Sequence, residues 1–435
     1  MQIHVIQPGQ TLFGIAEAYD STISEIMLTN KIINPNALVV GQALVIPIAG
    51  HYYWVQPGDT LYIISGYFGI NYQVLAKING IALNTSLQVG LRLYIPPAPK
   101  INTEINGYIQ TIGGKVPSEL AESNENIAPL LTYLAPFSFQ IQRDGSLQPP
   151  PSPEILPKLK NIAAKNNVTL MMVFTNIEGR TFSTDLGRII LTDEQVQDNL
   201  IENIISTAKQ YGFRDIHFDL EYLPINLKEN YNNFLRKVKA QTSKEGFLLS
   251  TALAPKLSNT QKGLLYEAHD YKSHGEIVDF VVLMTYEWGY TTGPPMAVSP
   301  IGPVRQVIEY ALTEMPSSKI MMGQNLYGYD WTLPYIPRKT YAKSLSPDRA
   351  IEIAAENNAS INYDYNSQAP YFNYKDVTGN DHIVWFEDAR SIQAKFNLVK
   401  ELMLRGVSYW KLGLSFPQNW LLIQDNFDVI KNSTP

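Results

Sequence analysis

The chain has 435 residues and a formal net charge of −6, with 45% hydrophobic and 17% charged residues. This composition predicts a folded protein of two or three domains, and the lack of a long Lys/Arg run argues against a nucleic-acid partner. Cysteine is absent, which excludes disulfides and thiolate metal sites. Neither a long apolar run nor a cleavable signal-peptide pattern is visible, so we expect no membrane span and no cleaved leader.

The first hundred residues contain two copies of one short unit. The stretch "VIQPGQTLFGIA" at 5–16 returns as "WVQPGDTLYIIS" at 54–65, and "VVGQALVIP" at 39–47 returns as "QVGLRLYIP" at 88–96. The register is constant along the whole unit, which indicates two copies of the same module without insertions. Each copy predicts the order strand, helix, helix, strand.

The repeated motifs resemble the LysM domain, which implies two small βααβ LysM domains at 1–48 and 50–97. LysM domains bind glycans that contain N-acetylglucosamine, such as peptidoglycan or chitin, and the resemblance implies a sugar groove beside the first strand–helix loop of each copy. The candidate glycan-binding residues are Gly9, Thr11, Leu12, Gly58, Asp59, Thr60 and Leu61. Because such residue types also cap helices and form turns, a purely structural role is the alternative.

Beyond a short linker, "PPAPK" at 96–100, apolar strand-like runs alternate with amphipathic helical segments. Two of these segments, 193–212 and 227–246, end at a glycine, as helix C-termini often do. Eight strands are predicted, at 104–110, 131–141, 168–176, 215–222, 246–255, 277–287, 319–328 and 407–413. Eight strand–helix units in this length predict an α/β fold, a (β/α)8 TIM barrel over 101–431.

One interval, from about 329 to 385, does not follow the strand–helix repeat. It is rich in Tyr, Asn, Asp and Pro and is too long for a plain loop. We expect an α+β insertion between strands 7 and 8. Its aromatic residues either line a sugar cleft or form the insertion's own core, and the second alternative is favoured because aromatic side chains bury readily.

The fourth strand, "DIHFDLEY", alternates between apolar and titratable side chains. One face carries Ile216, Phe218 and Leu220, and the other carries Asp215, His217, Asp219 and Glu221. In a barrel the apolar face packs under the helices, so the titratable face should point inward with Glu221 nearest the catalytic mouth. Burying several acids is costly, so we infer a function for the row. Two coupled carboxyls can hold one proton near neutral pH, as cleavage of a glycosidic bond requires.

The same strand resembles the signature D-x-x-D-x-D-x-E of glycoside hydrolase family 18, and "LMTYEW" at 283–288 resembles that family's sixth-strand Met-x-Tyr. The resemblance implies a substrate-assisted retaining mechanism, in which the sugar's own 2-acetamido oxygen attacks the anomeric carbon. It implies Glu221 as the general acid, with Asp219 and Tyr286 orienting the acetamido group. The candidate substrate-binding residues are Tyr108, Asn176, His217, Met284, Tyr327 and Trp410. No cluster of His and acidic residues has metal-ligand spacing, so we expect no metal and no cofactor.

Two departures from the family pattern stand out. The first two aspartates of the signature are replaced by Arg214 and His217. We hypothesise that His217 supports Asp219 by a hydrogen bond or a charge, the alternative being a satisfied core histidine. The third strand, "VFTNIEG", lacks the family's Ser-x-Gly-Gly, although Asn176 could still reach the substrate.

Two LysM modules ahead of a family 18 barrel resemble the bacterial spore cortex-lytic N-acetylglucosaminidases. The resemblance implies hydrolysis of spore-cortex peptidoglycan during germination, with the two modules raising the barrel's effective concentration on insoluble glycan. We expect a monomer at the coat–cortex boundary whose partners are this glycan and other spore-layer proteins. A chitinase and a non-catalytic, lectin-like glycan-binding protein are the alternatives.

Overall fold

The structure, a computed structural model, describes residues 1–110, 112–120, 127–414 and 416–431. Its strands are β1 (Gln2–Val5), β2 (Ala43–Ile46), β3 (His51–Trp54), β4 (Arg92–Ile95), β5 (Ile101–Gln110), β6 (Tyr133–Phe137), β7 (Phe139–Ile141), β8 (Leu147–Gln148), β9 (Thr169–Thr175), β10 (Ile177–Glu178), β11 (Thr181–Phe182), β12 (Asp215–Asp219), β13 (Leu248–Leu253), β14 (Phe280–Leu283), β15 (Ile320–Asn325), β16 (Gly328–Thr332), β17 (Lys343–Leu345), β18 (Asn362–Asp364), β19 (Ala369–Lys375), β20 (Asp381–Trp385), β21 (Gly406–Trp410) and β22 (Phe427–Val429).

The α-helices are α1 (Leu12–Ala18), α2 (Ile23–Thr29), α3 (Leu61–Phe68), α4 (Tyr72–Ile78), α5 (Leu156–Asn166), α6 (Thr184–Thr192), α7 (Glu194–Tyr211), α8 (Lys228–Thr242), α9 (Tyr271–Ile277), α10 (Ile301–Glu314), α11 (Pro347–Glu356), α12 (Ala389–Glu401) and α13 (Pro417–Asn426). None of the helices in the described ranges has both the length and the hydrophobicity that a bilayer crossing requires. The two predicted glycine ends are confirmed, since Gly212 follows α7 directly and Gly246 follows the 3-10 turn Ser243–Glu245 after α8, both in the left-handed conformation.

Both N-terminal modules have the predicted βααβ order, with β1 antiparallel to β2 and β3 antiparallel to β4. In each module one asparagine side chain makes the same set of hydrogen bonds. The side-chain amide of Asn79 donates to the carbonyls of Leu75 and Tyr94 at 2.9 and 2.8 Å and accepts from the Tyr94 N–H at 2.7 Å. Asn30 makes the same three bonds in the first module. This side chain therefore ties the second helix to the last strand in each copy.

The first module is docked on the catalytic part of the chain. Val45 is buried in the core between the barrel and its helices, and Val39 is buried in the core of the insertion. The Ile361 N–H donates to the Val40 carbonyl at 2.9 Å, and Arg390 Nη2 donates to the Gly41 carbonyl at 3.0 Å. This module is thus packed into the catalytic body through its β2 side.

The second module packs on the first. The Gln2 side chain exchanges two hydrogen bonds with the backbone of Tyr52, at 2.6 and 2.9 Å. Arg92 forms an ion pair with Asp20 at 2.7 Å. The ring of Tyr52 also lies 6.5 Å from the ring of Tyr19 in the first module, between centroids. The two modules therefore contact each other through both polar and aromatic side chains.

Eight parallel strands close into a barrel in the order β5, β6, β9, β12, β13, β14, β15 and β21, and β21 pairs back with β5. The predicted fold class is therefore confirmed. The apolar face of β12 packs outward, where the Phe218 ring lies 5.3 Å from Phe174 and 5.2 Å from Phe234 between ring centroids. In the described part of the first strand–strand connection, 112–120 and 127–130, the helical turns are of the 3-10 type.

The insertion between the seventh and eighth barrel strands is a five-stranded antiparallel sheet in the order β17, β16, β20, β19, β18, with α11 on one face. Phe372 and Val384 are buried on the α11 face and form the insertion's own core. On the other face Trp331 and Trp385 belong to a cluster that includes Tyr286 of the barrel mouth. Aromatic residues of the insertion therefore form a core and also approach the mouth.

Candidate active site

The carboxyl side chains predicted for chemistry lie at the C-terminal end of β12. Asp219 is the last residue of the strand and is 6% exposed, while Glu221 follows in the adjoining loop and is half-buried. Asp215 and His217, further down the same face, are completely buried inside the barrel. Because strand side chains alternate, the pair at the top of this row faces the mouth where (β/α)8 barrels carry their active sites.

Burial raises the pKa of both carboxyls of this pair. The pKa of Glu221 is raised furthest, first by burial and then by the charge of Asp219. Burial alone raises the pKa of Asp219. Two carboxyls whose pKa values are raised in this way can share one proton near neutral pH, so Glu221 can act as an acid. Oδ1 of Asp219 is buried and accepts no hydrogen bond from the described residues.

The predicted contact between His217 and Asp219 is wrong. The hydroxyl of Ser250 donates to Asp215 at 2.7 Å and accepts from Nδ1 of His217 at 2.7 Å. Nε2 of His217 therefore carries no proton and accepts from the Tyr108 hydroxyl at 2.9 Å. Burial lowers the pKa of His217 to about 3, so the ring is neutral and cannot support Asp219 by charge. It is also too enclosed to touch a substrate.

The predicted substrate contact of Asn176 is also wrong. Its side chain is fully buried, and its amide oxygen and both amide hydrogens are bonded to groups inside the protein. Its Oδ1 accepts from the Glu221 N–H at 3.0 Å, and its Nδ2 donates to the carbonyls of Glu221 and Ser183 at 2.9 and 3.0 Å. The residue at the end of the third strand thus holds the backbone of Glu221 instead of contacting the substrate.

An aromatic floor lies beside the carboxyl pair. Trp410, at the end of β21, is half-buried, and its ring centroid lies 5.6 Å from Tyr108 and 4.8 Å from Phe137. Because the hydroxyl of Tyr108 is bonded to His217, Tyr108 contributes its ring rather than a free donor. Phe137 was not predicted, and its only signal in the sequence is its position at the end of the second strand.

Tyr286 follows β14, and its half-buried ring lies over Gly323 of β15. A Cβ at Gly323 would stand 2.9 Å from the ring, so the glycine provides the space that Tyr286 occupies. Burial raises the pKa of Tyr286 well above its usual value, which keeps the hydroxyl a donor. Met284, two residues earlier, is also half-buried and bonds through its N–H to the Leu253 carbonyl at 2.9 Å.

Glu287 is a carboxylate beside this site that was not predicted, although it directly follows the Met-x-Tyr motif. It accepts hydrogen bonds from the hydroxyls of Tyr327 and Tyr329, the latter at 3.0 Å. Burial raises the pKa of Glu287, and the two tyrosine hydroxyls oppose that rise. The hydroxyl of Tyr327, predicted to bind substrate, is therefore committed to Glu287.

The predicted groove residues of the LysM modules divide into three groups. The side chains of Leu12 and Leu61 are buried in the module cores, so these two cannot contact a glycan through their side chains. Thr11 and Thr60 are N-caps that accept backbone N–H bonds at 3.1 Å, which agrees with the structural alternative. The remaining candidates, Gly9, Gly58 and Asp59, lie in the loops before these caps, where the two glycines have left-handed φ.

The described residues contain no group of His, Asp and Glu side chains arranged to hold a metal ion. The site therefore offers two carboxyls with raised pKa values beside aromatic side chains at the mouth of a (β/α)8 barrel. That combination defines a glycosidase. The chain belongs to glycosyl hydrolase family 18, whose family model matches residues 104–414, and the LysM domain model matches 4–47 and 53–96.

Two of the known relatives resemble the chain over its whole length. It is 59% identical over 433 residues to a cortical fragment-lytic enzyme of Bacillus subtilis (strain 168), with 100% of both chains covered. The crystal structure of the Bacillus megaterium QM B1551 spore cortex-lytic enzyme SleL matches with a TM-score of 0.90 and 52% identity, covering 99% of each chain. A chitinase from Chromobacterium violaceum shares the fold, with a TM-score of 0.65 and 20% identity over 74% of this chain and 98% of that one.

Proposed function

We propose that this chain is an N-acetylglucosaminidase that cleaves spore-cortex peptidoglycan, or its fragments, during germination. The observation that carries the chemistry is the position of the Asp219 and Glu221 carboxyls at the C-terminal end of β12, where burial raises both of their pKa values. The substrate class is supported by the relatives described above, which are cortical fragment-lytic and spore cortex-lytic enzymes and match the chain from end to end.

In the proposed mechanism Glu221 donates its proton to the glycosidic oxygen as the bond to the anomeric carbon breaks. The carbonyl oxygen of the substrate's own acetamido group forms the new bond to that carbon, giving an oxazolinium intermediate. Asp219 stabilises the positive charge of this intermediate and accepts a hydrogen bond from the acetamido N–H. The buried Oδ1 of Asp219, which has no partner among the described residues, supports this role.

The second half of the reaction regenerates the acid. Water attacks the anomeric carbon of the oxazolinium as the bond from that carbon to the acetamido oxygen breaks, and the ionised Glu221 removes a proton from that water. Tyr286 donates to the acetamido carbonyl in both halves, since its raised pKa keeps its hydroxyl protonated. Trp410, with Tyr108 and Phe137 beside it, provides the apolar surface beneath the sugar ring. Two displacements at one carbon predict net retention of configuration.

The alternatives make different demands on the same residues. A chitinase would use the same carboxyl pair, and the fold is shared with chitinases at low identity, so the carboxyls do not separate the two activities. A lectin-like protein would need no protonated acid at the mouth, and the raised pKa of Glu221 therefore favours an enzyme. Association with the spore follows from the relatives, while the coat–cortex location, the monomeric state and spore-layer protein partners stay predictions.

The test is a digestion of two substrates by the full chain, cortical muropeptides and chitin oligomers, with products identified by mass and anomeric configuration read by NMR. We expect new reducing ends at N-acetylglucosamine from the cortical substrate, released with retained configuration. Preferential turnover of chitin would replace the proposal by a chitinase, and binding of both glycans without any turnover would replace it by a lectin.

A further inference from the structure

The turn that carries Glu221 is held by side chains from other parts of the barrel. Tyr222, the next residue, has a φ of 56°, a left-handed conformation that is unfavourable for a tyrosine. Such a backbone persists when its surroundings fix it. The carbonyls of Leu220, Glu221 and Tyr222 each accept a hydrogen bond from a different side chain.

Asn176, at the end of the third barrel strand, makes the most complete of these contacts. It binds the N–H and the carbonyl of Glu221 together, so it fixes one peptide group on each side of the Glu221 Cα atom. Its second Nδ2 hydrogen goes to the carbonyl of Ser183, the N-cap of α6. Gly187 of α6 lets the helix approach, since a Cβ there would stand 3.3 Å from Asn176 Nδ2 and 2.4 Å from Leu223.

His269 holds the preceding carbonyl in a fixed tautomer. Its Nδ1 accepts from the Ala254 N–H at 2.9 Å, so the proton is on Nε2, which donates to the Leu220 carbonyl at 2.9 Å. The ring is 1% exposed, and the buried Lys256 donates to the His269 carbonyl at 3.0 Å. The loop after the fifth strand is therefore tied to the Glu221 turn.

Thr184, the first residue of α6, completes the set. Its hydroxyl donates to the Tyr222 carbonyl at 2.7 Å. Three side chains from three separate segments thus fix three consecutive carbonyls. The Glu221 carboxyl itself has no hydrogen bond from the described residues, so its position depends on the backbone beneath it.

We propose that Asn176, His269 and Thr184 form a backbone clamp that positions Glu221 for proton transfer, with Asn176 as its central member. The inference rests on the proposed function, because it takes Glu221 as the general acid. Proton transfer requires heavy atoms within hydrogen-bond reach, and a displacement of about 1 Å can cost about 100-fold in rate. A clamp acting on the backbone leaves the carboxyl free to face the substrate.

The clamp is tested by Asn176→Asp, which keeps the size and the Oδ1 acceptor but loses both N–H donors. We expect kcat on soluble cortical muropeptides to fall about 10- to 100-fold with KM within about twofold, because substrate contacts are untouched. The basic limb of the kcat/KM profile should move to lower pH, since a displaced Glu221 lies further from Asp219 and is better solvated.

Asn79→Asp is the matched control, because Asn79 makes the same pattern of bonds to backbone groups in the second LysM module. It should lower the melting temperature without changing kcat or the basic limb. Conservative rescue is tested at His269, where glutamine can still donate to the Leu220 carbonyl and should retain more kcat than alanine. Thr184→Val, at a half-buried position, keeps the test possible if Asn176→Asp does not fold.

Unchanged kcat and an unchanged basic limb in Asn176→Asp, or in Thr184→Val where the first variant does not fold, would overturn the clamp. The clamp would also be overturned if Asn176→Asp lost stability as the control does but showed no change in kinetics. Glu221→Gln separates this failure from failure of the proposed function. If Glu221→Gln is inactive while Asn176→Asp is fully active, the clamp alone is wrong, whereas an active Glu221→Gln removes its premise.

Discussion

Replacing His217 by asparagine should make the stability of the protein less sensitive to acid. His217 is completely buried, and both ring nitrogens are bonded to neutral hydroxyl groups, those of Ser250 and Tyr108. Burial lowers its pKa from 6.5 to about 3. The native state therefore keeps the ring neutral at pH values where the unfolded chain already binds a proton.

The sign and size of the effect follow from this difference in proton binding. Below pH 6.5 the unfolded state gains a proton that the native state does not, so the wild-type free energy of unfolding falls as pH falls, until about pH 3. The slope is about 1.4 kcal/mol per pH unit, which gives a loss of about 2 kcal/mol at pH 5 from this group alone. Asparagine does not titrate and lacks this loss.

The measurement is urea unfolding of wild type and His217→Asn at several pH values between 7.5 and 5. At pH 7.5 the variant should be less stable, by about 1 to 3 kcal/mol, because it removes a buried hydrogen-bond partner. The difference in unfolding free energy between the two proteins should shrink by about 2 kcal/mol toward pH 5. Groups present in both proteins, such as Asp215 and Asp219, contribute nearly equally to each free energy and so largely cancel in this difference. A difference that stays constant, or grows, over this pH range would show that His217 is not held in its neutral form in the native state.

Three further changes test other parts of the structure. Lys395→Met should destabilise the protein by about 3 to 5 kcal/mol at neutral pH, because it removes the counter-charge of a buried carboxylate. That carboxylate belongs to Glu387, which is 1% exposed and bonded to Lys395 at 2.7 Å. A urea midpoint equal to that of wild type would contradict this prediction. Gly41→Val should lower the melting temperature more than Gly90→Val. Both glycines have a left-handed φ, but at Gly41 an added Cβ would also stand 1.8 Å from the Ile361 carbonyl oxygen. Equal shifts in melting temperature would argue against the docking of the first module on the catalytic body. Tyr286→Phe should lower kcat on cortical muropeptides about 100-fold with little change in melting temperature, because one donor to the reacting group is lost, and an unchanged kcat would remove Tyr286 from the mechanism.

Patterns within a short stretch of sequence predicted much of this structure. The period of two in the fourth strand separated the apolar residues, which pack under the helices, from Asp215, His217 and Asp219, which face inward. The repeat with constant register predicted both βααβ modules. In each case the physical cause is local, since neighbouring residues alternate across a strand or repeat a whole unit.

Partners distant in sequence could not be predicted in this way. His217 bonds to residues 33 and 109 positions away, so nothing near it in the chain indicates that both nitrogens are occupied. The sequence predicts that Asn176 can reach the substrate, whereas its amide holds the Glu221 backbone 45 positions later. The docking of the first module depends on Gly41 meeting Ile361, again a contact between distant segments.

Turnover of cortical muropeptides by Glu221→Gln, measured beside binding of the same substrate, tests the central claim most directly. Glutamine keeps the shape of the side chain but has no acidic proton to donate. We predict that kcat falls by at least about 100-fold while the dissociation constant changes by less than about threefold, because Glu221 acts on the leaving oxygen rather than on binding. Turnover within tenfold of wild type would show that Glu221 is not the acid and would contradict the account.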